Sequence, residues 1–144
     1  MNYIYVDDAF NSLKKRNIKN TEKRVYNCGG YALESFSWYI PSLDRKPIHR
    51  AEKATLESCV EAMLKEFPTI RVIQSLDELK DNEYAIAFRM SDYDFHYVKR
   101  ASNGHWYHKM GSSHYIRTMT QKVVFSESWG YGYDGEIVLM AKTR

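Results

Sequence analysis

The 144 residues carry a net charge of +3, with 44% hydrophobic and 15% aromatic residues. That is enough chain for one domain with its own core, and too apolar for an intrinsically disordered segment. The positive charge comes in short clusters such as "LKKRN" and "TEKR", not in the dense basic stripe of a dedicated nucleic-acid binder.

No apolar stretch approaches the ~20 residues of a membrane helix. The opening "MNYIYVDDAF" lacks the basic-then-apolar layout of a signal peptide. The expectation is a cytoplasmic protein in which Cys28 and Cys59 stay reduced. Twelve tyrosines suit a compact core and a cleft lined with rings.

Along the chain there is no repeat, low-complexity tract or Pro/Gly-rich linker, so residues 1–144 read as one domain. "DDAFNSLKKRN" predicts a short first helix capped by Asp7 or Asp8, and "IKNTEKR" a loop. Cys28, Tyr31, Ala32, Ser35, Phe36 and Tyr39 then recur at spacings of three and four, with Leu33, Trp38 and Ile40 on other faces. This predicts a buried central helix ending at Pro41. "PSLDRKPIHRA" reads as loop. "EKATLESCVEAMLKEF" predicts an amphipathic helix with Leu56, Cys59, Val60, Met63, Leu64 and Phe67 on one stripe, which makes Cys59 a buried, inert thiol.

After Pro68 the period falls to two. "TIRVIQS", "EYAIAFRM", "DFHYVKR", "HWYHKM" and "GEIVLMAK" predict strands, with "SLDEL" a turn of helix between the first two. Helices over residues 1–67 followed by a mostly antiparallel sheet over 68–144 make an α+β fold.

Asn27 is a good N-cap, which places Cys28 at a helix start, where the dipole favours a thiolate. Gly29 and Gly30 would let a substrate backbone come close to the sulfur. The N-terminal half alone leaves two readings level, a nucleophile or a core-filling cysteine. A nucleophile needs a base and a group that orients the base. His96 and His108 lie on successive predicted strands joined by "ASNG". A two-residue Asn-Gly loop would put them on opposite faces. A three-residue loop over Ser102, Asn103 and Gly104 would pair Ala101 with His105, set Val98 opposite His108 and leave His96 as its diagonal neighbour. The catalytic reading therefore requires the longer loop.

Asp94, two residues before His96, is an alternative orienting group. His105 and His108 point to opposite faces and make a poor metal pair. Cys28, His96 and His108 could in principle bind zinc, but a cysteine at a helix start is commoner in thiol hydrolases, so neither metal nor cofactor is expected. "GYGYDGEI" reads as a turn before the last strand and not as a phosphate loop.

A cysteine that opens a buried helix, a strand histidine, and a second histidine twelve residues on resemble the NlpC-type branch of papain-like cysteine peptidases. "YNCGGYAL", "DFHYVKR" and "NGHWYHKMG" look still more like a small set of papain-like proteins from bacteria and their phages. The chain departs from the NlpC pattern in having Asn27 where an aspartate is usual, and in its loop from Pro41 to Lys53. The resemblance implies Cys28 as nucleophile, His96 as base and His108 as orienter, acting on an amide through a thioester. The backbone N–H of Cys28 would supply one oxyanion donor, with Tyr26, Asn20 and Asn27 as second candidates. The substrate would be a peptide or protein. In the rival reading the domain binds a host protein through its aromatic cleft, without catalysis.

Overall fold

The computed structural model describes residues 26–41, 55–92, 94–110 and 116–144. The first predicted helix, most of the Pro41–Lys53 loop, and Asn20, His49 and His114 lie outside the described residues. The elements are α1 (Cys28–Ala32), α2 (Leu56–Glu66), β1 (Ile70–Ile73), a 3-10 turn (Leu76–Glu78), β2 (Glu83–Met90), β3 (Phe95–Arg100), β4 (Trp106–Lys109), β5 (Ile116–Met119), α3 (Gln121–Val124) and β6 (Val138–Thr143). The strands form one six-stranded sheet in the order β1-β6-β2-β3-β4-β5, and every pair in it is antiparallel. The architecture is α+β.

Alternation along the strands divides the core between the two sheet faces. Tyr84, Ile86, Phe88, Phe95, Tyr97 and Met140 cluster with Cys28, Ala32 and Leu33 from the α1 region and with Cys59 and Met63 of α2. Ala85, Ala87, Val98, Trp106, Leu139 and Ala141 cluster with Val124 of α3. β2 is buried from Tyr84 to Arg89, and a strand covered on both faces reads as a continuous apolar run. α2 lies inside the predicted segment "EKATLESCVEAMLKEF" and starts at Leu56 rather than at its first residue. Thr55 Oγ1 accepts from Ser58 N–H and Ser58 Oγ from Thr55 N–H, a reciprocal cap.

α1 corrects the sequence reading. It is five residues long and does not run to Pro41. Glu34 (φ 56°) and Phe36 (φ 51°) take left-handed backbone, and the Ser35 and Phe36 N–H groups both donate to Gly30 O. The chain therefore reverses and lies back on the helix. Asn27 secures the return: its Oδ1 accepts from Gly30 N–H (3.0 Å) and Tyr39 N–H (3.1 Å), and its Nδ2 donates to Tyr39 O (2.7 Å). The three-and-four spacing in the sequence reflects a helical turn and a returning strap that share one core.

Gly30 shows how tight that return is. A Cβ there would sit 1.9 Å from Ser37 O, far inside contact distance. Alanine is the better helix former by ~1 kcal/mol, yet Gly30→Ala should destabilise the protein by about 2 kcal/mol, because backbone must shift to admit the methyl. Urea unfolding measures this, and a neutral or stabilising outcome would mean the strap does not rest on Gly30.

Candidate functional site

The β3–β4 hairpin takes the three-residue loop. Ala101 N–H donates to His105 O (2.8 Å) and Gly104 N–H to Ala101 O (2.9 Å), with Gly104 at φ +87° as an αL loop residue requires. Lys99 pairs with Tyr107 and Arg100 with Trp106. The same register carries Val98 opposite His108 and leaves His96 one diagonal step away. His96 Nε2 and His108 Nδ1 lie 2.8 Å apart, and the rings meet edge to face at 5.0 Å. One nitrogen of the pair must donate. When the proton sits on His96 Nε2, Nδ1 of that ring is left as a bare acceptor.

Both rings are buried, and burial is the main reason they resist protonation. The His96 pKa is pushed down to about 3, first by desolvation and then by His108. That of His108 falls to about 4, by desolvation and then by Arg117, its cross-strand partner on β5. The pair rests neutral at pH 7.

Cys28, His96, Asn27, Asp94, Met110 and Tyr133 line a common cleft of about 150 Å³. The cysteine is only 4% exposed, and burial pushes its thiol up to about 12, opposed by the Tyr97 backbone N–H and more weakly by Lys109. The dipole-lowered thiol expected from a helix start is therefore absent. α1 is little more than one turn, and desolvation outweighs what its N-terminus supplies. Among the described residues no hydrogen bond joins the thiol to His96, whose Nε2 is directed at His108.

The secondary candidates separate by environment. The Asn27 side chain holds the strap through both Oδ1 and Nδ2, so it positions the cleft. Asp94 precedes β3, is exposed, accepts from Phe95 N–H and hydrogen-bonds Tyr133; the place beside His96 is taken by His108. Tyr26 is buried outside the cleft, its carbonyl accepting from Lys109 Nζ and its ring T-shaped against Phe36. Among the described residues no group of three His, Cys, Asp or Glu could hold a metal ion, and no helix is long and apolar enough to cross a membrane.

Sequence reasoning missed four contributors. Lys109 is fully buried, with its ammonium 4.8 Å from the Tyr26 ring centroid, and desolvation pushes its pKa down to about 8. Arg89 donates to Gly135 O (2.6 Å), Ser126 O (2.8 Å) and Glu127 O. That clamps the loop which brings Trp129 and Tyr133 against His96. A lone cation in each of two apolar strands, "EYAIAFRM" and "WYHK", was the available signal. Buried charges are kept where they are partnered.

The histidine pair sets a pH dependence. Its folded pKa values lie below the unfolded value near 6.5, so the unfolded chain binds more protons between them. The contribution of the pair is fully present above about pH 6.5 and is lost as pH falls towards 3–4. Thermal melts should show Tm dropping over that window, and dropping less in a His96→Asn/His108→Asn variant. Parallel pH curves for the two proteins would contradict the neutral buried pair.

No curated protein and no solved structure matches the chain. One family model does, over residues 17–138, and its description is a domain of unknown function, DUF7689. With most of its length matched, the chain belongs to that family.

Proposed function

We propose that the protein is a papain-like thiol hydrolase, a cysteine peptidase or amidase of the NlpC type that acts on a peptide or protein. The observation that carries this reading is the 2.8 Å bond between His96 and His108 beside a cleft that Cys28 and His96 line together. Cys28 Sγ attacks the amide carbonyl as the thiol proton passes to His96 Nδ1. The tetrahedral intermediate collapses to a thioester, and His96 returns the proton to the departing amine. Water, deprotonated by the same ring, then releases the acid and regenerates the thiol. His108 holds the His96 ring and stabilises it while it carries charge. The Cys28 backbone N–H serves as one oxyanion donor. The backbone N–H groups of Tyr97 and Gly29, and more weakly the buried Lys109 ammonium, are the groups that favour sulfur as an anion.

A second reading, a binding module that uses the fold without catalysis, is favoured by the raised Cys28 thiol. A peptide bearing an acyl electrophile separates the two. In the hydrolase it modifies Cys28 and spares Cys59, which is 1% exposed; His96→Ala abolishes labelling and His108→Ala slows it less. Cys28→Ala removes turnover at a stability cost on the order of 1 kcal/mol. A folded Cys28→Ala protein with full biological activity would leave the binding module as the function.

A further inference from the structure

A second cavity, of about 510 Å³, is lined by both His96 and His108 and shares His96, Met110 and Tyr133 with the Cys28 cleft. We infer that this cavity receives an acidic peptide segment, with an apolar side chain against Trp129 and Tyr133 and a carboxylate on Arg117. The inference deepens the hydrolase reading and rests on it for what becomes of the bound amide.

Three observations converge on it. The first is size: cavities of roughly 300–1,000 Å³ take small ligands or a few residues of peptide. The second is a wall built to stay in place. Trp129 donates from its indole Nε1 to Val124 O (2.9 Å) and is flanked by the Arg89 guanidinium at 5.6 Å, while Arg89 holds three carbonyls of the loop that carries it. Tyr131, 90% exposed, stands at the tip of that loop between Gly130 and Gly132, all three at positive φ.

The third observation is charge. Arg117 is exposed on β5, opposite His108. Among the described residues that line the cavity it is the one fixed charge, and none is Asp or Glu. Asp134, which accepts from Ser128 Oγ, is not among the residues that line the cavity. An isolated guanidinium at the rim of an aromatic pocket matches a carboxylate in geometry and in sign.

The test uses folded Cys28→Ala protein, so that binding is read without turnover. Acetyl-Phe-Glu-amide and its neutral isostere acetyl-Phe-Gln-amide are titrated while the Trp129 indole N–H is followed by NMR. The acidic peptide should move that signal and bind about tenfold tighter, a preference that salt weakens. Arg117→Gln should erase the preference and Arg117→Lys keep part of it. Equal binding of the two peptides, an unmoved Trp129 signal, or a preference that survives Arg117→Gln would each overturn the inference. Acidic-peptide binding in a protein whose Cys28 never reacts with an acyl electrophile would keep the pocket and remove the hydrolase; labelling without acid preference would do the reverse.

Discussion

The geometry of the site depends on one side-chain amide. Asn27 caps α1 at Gly30 and holds both backbone groups of Tyr39, which fixes the turn that carries Cys28 and the strap that closes over it. An amide can do this because it offers acceptor and donor on one planar group; an aspartate in its place could accept from Gly30 and Tyr39 but could not donate to the Tyr39 carbonyl. With the strap in place, Tyr39 packs edge-on against Phe67 at the end of α2. The two helical segments are thus tied to each other as well as to the sheet.

On the opposite side of the sheet the corresponding anchor is Arg89. Its guanidinium organises backbone that has no regular structure and gives His96 an aromatic surround. Around the cleft, burial is therefore the dominant electrostatic fact. It keeps the imidazoles neutral and the thiol protonated, and it leaves Lys109 as the buried cation closest in effect to the sulfur. A site of this kind has little charge at rest. It stabilises charge only where hydrogen bonds and fixed dipoles stand ready for it.

The sheet was readable because period-two alternation and the "ASNG" turn both act locally. Once Gly104 takes the left-handed position, the meeting of His96 and His108 follows from strand geometry alone. α1 was misjudged because Glu34 and Phe36 carry no sequence mark of positive φ; neither is Gly or Asn, and tertiary packing imposes their backbone. β5 and α3 were missed as well. β5 is only four residues long with two of them exposed, and α3 is a single turn begun by Thr120; neither is long enough to build a period. The buried cations stood out in apolar strands, but their roles could not be read there, since their partners are backbone carbonyls and ring faces, to which a sequence gives no spacing rule.

The strand order also bears on how the chain matures during synthesis. β6 lies between β1 and β2, so Ile70 pairs with Lys142 and Glu83 with Thr143. Until residues 138–143 leave the ribosome, β1 has no neighbour on which to add and β2 shows a bare, apolar edge. The nascent polypeptide thus carries the β2–β3–β4 meander for some time with a sticky margin, the kind of margin that chaperones cover. Closure of the sheet is a long-range event, and loss of residues 138–143 would leave that margin permanently open.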